Sequence, residues 1–127
     1  MGNKEELDKA DKIILLGDLK HDFSTLNDEE RFDIVNLFDF LQQKCREIIV
    51  IRGNHDNYLL GIMSNRKIKV INNFAWDGNC FLHGDKDFPE IYDLKIKRWI
   101  MGHLHPSINL QEGNKSEKYK CFLTGKY

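Results

Sequence analysis

Two unbroken apolar runs, Ile13-Ile14-Leu15-Leu16 and Ile48-Ile49-Val50-Ile51, organise the first half of the chain. Neither alternates with polar residues, and each is closed by a polar loop. That pattern predicts strands buried on both faces. Between them, Asn27-Asp28-Glu29-Glu30 has the form of a helix start, a capping residue followed by acids in the first turn. Phe32, Val35, Leu37, Phe38 and Leu41 then recur at helical spacing, which predicts an amphipathic helix over about 28–45. Residues 3–10 read as a short helix, and 57–64 as one or two helical turns.

The second half has a different texture. Short apolar stretches at Ile68–Ile71, Phe74–Trp76, Cys80–Leu82, Arg98–Met101, Ser107–Gln111 and Lys118–Leu123 are separated by Gly, Asn and Asp. They read as strands, several of them antiparallel, with Asp77-Gly78 as a hairpin turn. The expected class is therefore α/β grading into α+β. No repeat or linker divides the chain, so residues 1–127 are expected to form a single domain.

Composition narrows the function classes. The 127 residues are 41% apolar and 31% charged with a net charge of −1, which is ordinary for a globular domain and gives no overall basic signature for nucleic acid. Basic clusters at Lys67/Lys69, Lys95/Lys97/Arg98 and Lys115/Lys118/Lys120 read first as solvated faces. The cysteine number is odd, and none of Cys45, Cys80 and Cys121 sits in a CxxC pair. Cys80 and Cys121 lie in apolar stretches and read as core thiols, so a reduced, cytoplasmic protein is expected. No apolar run approaches the roughly 20 residues of a membrane span. The opening MGNKEELDKADK lacks a signal-peptide core, and Glu6 stands where a myristoylation signal wants Ser or Thr. No membrane association is expected.

The candidate chemistry lies at the strand ends. Gly17-Asp18, Gly53-Asn54-His55-Asp56, His83-Gly84-Asp85 and Gly102-His103-Leu104-His105 each follow an apolar stretch. Loops at strand ends, fixed by a rigid sheet, are where such folds put their reactive groups. One carboxylate, one amide oxygen and three imidazoles form a mixed O/N set, suited to Mn, Fe, Zn or Ni rather than to a thiolate-selective site. Taken singly, each cluster has an ordinary structural reading as a turn, a helix cap or a hydrogen-bonded histidine. Four in succession, each after a strand, would need four coincidences.

In this order, GD, GNHD, HGD and GHLH resemble the calcineurin-like metallophosphoesterases. GDLKH, RGNHD, FLHGDK and GHLHP are similar to an archaeal branch of that family near the DNA-ligase-associated phosphoesterases. The likeness runs from about residue 12 to 124. It implies a four-layer α-β-β-α sandwich with a two-metal site at one edge. By position, Asp18 would bridge the two ions, Asn54, His83 and His103 would complete one metal site, and His105 would bind the other. The resemblance implies that a metal-held hydroxide attacks a phosphodiester or phosphomonoester, with His55 as general acid and Asp56 orienting it. A nucleotide or nucleic acid is the substrate it suggests, and Mn the first metal to consider. Arg52, Lys20, His21 and Lys86 flank the motifs and could meet phosphate charge or be plain surface residues.

One motif of the family has no counterpart. The family's first strand ends in Asp-x-His, and no Asp-x-His precedes Ile13. The expectation is a fold lacking that strand, with a complete ligand set for only one ion. A truncated chain, a homodimer or second chain supplying the strand, and a domain that has abandoned two-metal catalysis all stay open. The competing reading is a catalytically impaired fragment or a non-catalytic protein-binding module on the same fold. A structural zinc domain is disfavoured, because it would want closed tetrahedral Cys/His ligation and no cysteine pair stands beside the histidines.

Overall fold

A computed structural model describes residues 9–20, 26–54 and 59–126. It is a mixed α+β arrangement of three small sheets and few helices. Strands β1 (Ala10–Leu15), β2 (Cys45–Ile51) and β3 (Val70–Ile71) form a parallel sheet in the order β1-β2-β3. Strands β4 (Asn73–Trp76), β5 (Asn79–Leu82) and β6 (Arg98–Met101) form a second sheet in which β4-β5 is antiparallel and β5-β6 parallel. Strands β7 (Ser107–Glu112) and β8 (Lys115–Lys120) pair only with each other.

Helix α1 spans Asp28–Lys44, as the capping signal predicts. Asn27 Oδ1 accepts from the Glu30 backbone N–H at 2.8 Å, and the Glu30 carboxylate accepts from the Asn27 N–H at 3.0 Å. This reciprocal pair satisfies two backbone donors that the first turn would otherwise leave open. The buried face is narrower than the apolar pattern suggests. Ile34 and Phe38 are inside, whereas Phe32 and Leu37 are exposed. Ile34 and Phe38 meet Val50 of β2 and Leu59, Ile62 and Met63 of helix α2 (Leu59–Asn65) to form the first core.

The second core lies on the other sheet. Cys80 and Leu82 of β5 pack with Ile91, which sits on a 3-10 turn over Pro89–Tyr92, and Phe88, Ile96 and Trp99 close around them. The Asp77-Gly78 turn between β4 and β5 has positive φ at both residues, as a two-residue hairpin of this hand requires.

Three expectations need correction. The first apolar run is only half-buried, because β1 pairs with β2 alone among the described residues and so sits at a sheet edge. β2, flanked on both sides, does bury Ile49, Val50 and Ile51. The last strand is Lys115–Lys120 rather than Lys118–Leu123, because the Gly113-Asn114 turn sets the ladder three residues earlier. Cys121 falls past the ladder and is exposed, while Cys45 and Cys80 are buried thiols. The short helix expected over 3–10 lies largely outside the described residues, and Ala10 already belongs to β1.

Candidate metal centre

The parallel pairs β1-β2 and β5-β6 send four chain segments off their carboxyl ends, where a sheet can present a ligand site. Asp18 follows β1, Asn54 follows β2, His83 follows β5 and His103 follows β6. His83 lies at the centre and is buried. Its Nε2 stands 3.1 Å from Asp18 Oδ2, 3.1 Å from Asn54 Oδ1 and 3.2 Å from His103 Nδ1. One donor atom from each of Asp18, His83 and His103 lies within 4.8 Å of the others.

The other nitrogen of His83 explains its aim. Nδ1 is 2.6 Å from the carbonyl oxygen of Leu16, the residue just past β1. A carbonyl can only accept, so the proton sits on Nδ1 and donates to it. In the neutral ring, Nε2 then carries a lone pair, and that lone pair faces a carboxylate, an amide oxygen and a second imidazole. A cation would satisfy such a convergence of oxygen and nitrogen atoms. A proton on Nε2 could serve one or two of them; a metal ion serves all four. Spacings of 3.1–3.2 Å match adjacent corners of an octahedron with bonds of roughly 2.2 Å, within the range for divalent metals with O/N ligands. The residues therefore fit a divalent ion.

Backbone strain accompanies the arrangement. Asp18 and His103 both adopt left-handed φ, 53° and 51°, each directly after a glycine. Non-glycine residues in that region persist only where their surroundings enforce it, and they concentrate at functional sites. The surroundings here are backbone. A Cβ on Gly17 would lie 2.6 Å from the Gly53 nitrogen and 2.9 Å from His83 Nδ1. A Cβ on Gly102 would lie 3.2 Å from the Leu16 oxygen. Glycines let the loops close to the separation at which four short side chains meet.

The remaining sequence-derived site residues are placed as follows. His105 is exposed and stands outside the Asp18, His83 and His103 group. Arg52 is exposed next to Gly53. Lys20 is buried, and its Nζ donates to Glu30 at 2.9 Å, so it reinforces the helix cap; a phosphate contact would have to draw it from that partner. His21, His55 and Asp56 lie outside the described residues. What the sequence did not reveal is the orienting carbonyl of Leu16, since a backbone acceptor leaves no mark in residue type.

A model of the calcineurin-like phosphoesterase family matches residues 2–107. Comparison with curated proteins and with solved structures gives no match.

Proposed function

Because this chain belongs to the calcineurin-like phosphoesterase family, we propose that it is a metal-dependent hydrolase of phosphodiesters or phosphomonoesters, with a nucleotide or nucleic acid as substrate. The observation that carries this reading is the convergence of Asp18, Asn54 and His103 on the lone pair of His83. Asp18 and Asn54 would supply oxygens to the ion, His83 and His103 nitrogens. A divalent cation there, Mn first and Fe, Zn or Ni next, would polarise the phosphoryl oxygens and acidify a water at neutral pH.

The chain's own residues would do the rest. The Leu16 carbonyl keeps His83 in the tautomer that can ligate. His55, next in sequence to Asn54, would give its proton to the leaving oxygen, with Asp56 fixing its orientation. Arg52, exposed beside the same loop, and Lys20, whose Nζ also holds Glu30, are the cations that would meet phosphate charge. His105 would serve a second ion. The fold reading that accompanies this is a four-layer α-β-β-α sandwich, supported by α1 and α2 against the first sheet and the 3-10 turn against the second. A cytoplasmic location accords with three free thiols and no disulfide, and no described helix is long and apolar enough to cross a membrane.

The test combines Mn²⁺ titration by calorimetry with hydrolysis of bis-p-nitrophenyl phosphate and p-nitrophenyl phosphate. Asp18→Asn should weaken Mn²⁺ binding by roughly a hundredfold or more and remove turnover, since even indirect support of a ligand is worth about 10–100-fold. His55→Ala should keep Mn²⁺ affinity and lose about 10²–10⁴-fold in rate. Full metal-dependent rate in Asp18→Asn would sink the mechanism. Among the described residues only one group gathers as metal ligands, which favours a second reading, an impaired catalyst or binding module holding one ion. A stoichiometry of one Mn²⁺ per chain with no hydrolysis would select that reading.

A further inference from the structure

A groove of about 310 Å³ opens on the face of β5 and β6 that the 3-10 turn partly covers. Its volume is at the lower end for small-molecule pockets, about 300 Å³. Leu82 and Met101, partners in the β5-β6 ladder, form its floor with Trp99. Ile91 and Tyr92 make one wall. The far rim is the run Asp85-Lys86-Asp87, which supplies acceptors and a donor around an otherwise apolar hollow.

The aromatic part is held in place. Trp99 Nε1–H donates to the Ile91 carbonyl at 2.9 Å, which fixes the indole beneath the turn. Tyr92 meets Trp99 at 84° with ring centroids 5.4 Å apart. The Tyr92 hydroxyl is tied to the Asp87 carboxylate across the rim, and that bond pushes the phenol up from its ordinary value. Tyr92 is nevertheless 57% exposed. A preoriented aromatic ring, edge-to-face with Trp99 and more than half exposed, offers a stacking surface over an apolar floor.

The groove is lined by residues of the strand ends that also carry His83 and His103. It begins at Gly84, the residue after His83, and its floor ends at Met101, two residues before His103. Gly84 has φ 103° and no side chain, and a Cβ there would meet Met101 Sδ at 3.4 Å. A phosphate ester seated at the ion must lay its organic group nearby, and among the described residues this hollow opens beside the loops after β5 and β6.

We propose that the groove binds the base of a nucleotide ester, stacked on Tyr92 above Trp99, while the phosphate lies at Asp18, His83 and His103. This rests on the phosphoesterase reading and adds its specificity. It assigns Tyr92 as the residue that selects flat heteroaromatic esters over alkyl ones, with Asp85 and Lys86 facing the ring edge.

The test uses adenosine, which has the ring and no phosphate, so it reports on the groove without the metal. The chain has two tryptophans, and Trp76→Phe leaves Trp99 as the only indole emitter. In that background adenosine should change Trp99 emission saturably, and ribose 5-phosphate should not. Tyr92→Ala should weaken adenosine binding about tenfold, and Tyr92→Phe should restore it. Emission that does not respond to adenosine, or equal affinity in Tyr92→Ala, overturns the proposal. Hydrolysis of phosphate esters without adenosine binding overturns the groove alone. Adenosine binding without any Mn²⁺-dependent hydrolysis overturns the phosphoesterase reading and keeps the groove.

Discussion

Around His83 backbone touches backbone, while along the β7–β8 hairpin every residue is exposed. The two regions use similar sequence material. Both contain turns with positive φ, at Gly17 and Gly113, and both carry polar side chains on short segments. The difference is what stands behind each turn. A Cβ on Gly17 would strike Gly53 and His83, whereas one on Gly113 would meet nothing within 4 Å. Left-handed backbone is a local turn in the hairpin. At the strand ends it is one part of a contact set that fixes four side chains on one point. A two-stranded ribbon alone is marginal in water, so the hairpin cannot impose such precision, and two parallel sheet pairs can.

The sharpest way to break that comparison is Gly17→Ala. The new methyl would sit 2.6 and 2.7 Å from the backbone nitrogen and Cα of Gly53, neither of which can rotate away, at a φ of 88° that alanine resists. The expected outcome is a loss of about 3 kcal/mol in urea unfolding, with Mn²⁺ binding lost at the same time. A shift in stability under about 0.5 kcal/mol would mean that the loops are not locked against each other, and the contrast with the hairpin would collapse.

The parts of this fold that could be read from sequence are those whose cause is local. Helix α1 begins at Asp28 because Asn27 and Glu30 cap it, and both residues are visible in the string. The candidate site residues stand out for the same reason: a glycine beside a polar residue after a strand is a recognisable unit. Burial was less legible, because it depends on neighbours. Ile13–Leu15 and Ile48–Ile51 look alike in sequence, yet β1 has one partner strand and β2 has two. Ile34, missed by the apolar spacing, is inside because it meets the α2 side of the core, while Phe32 points out. The strain at Asp18 and His103 and the aim of His83 at Leu16 come from contacts between segments far apart in the chain, which residue type alone does not encode.

A smaller effect separates the cover of the second sheet from the sheet itself. Glu90, on the 3-10 turn, accepts its own backbone N–H and the Asn73 side-chain amide, the latter at 3.1 Å, and both hold its carboxyl below the usual carboxylate range. A carboxyl lowered in the folded state adds stability that is present above its unfolded value, about 4.3. That stability is lost as pH falls through the lower folded value, because the unfolded chain binds more protons there. Glu90→Gln should therefore flatten part of the decline in urea midpoint between pH 6 and pH 3. Identical pH profiles for the parent and Glu90→Gln would show that the Asn73 contact does not help to hold this turn.

The hairpin supplies the smallest expected change. Ile108 and Leu110 lie on the face shared with Tyr119, Ile108 directly opposite it in the ladder, and they are 51% and 55% exposed. Truncating a side chain already in water removes little burial, so Leu110→Ala should alter unfolding free energy by no more than about 0.5 kcal/mol and leave Mn²⁺ affinity unchanged. The same substitution in a covered apolar face would cost about 2–5 kcal/mol through lost burial and the cavity left behind. A loss of that size for Leu110→Ala would mean that the face is covered in solution. A loss growing with dilution would identify the cover as a second copy of the chain, since only an intermolecular contact carries that concentration dependence. Either result would move the hairpin from the loose side of the comparison to the packed side.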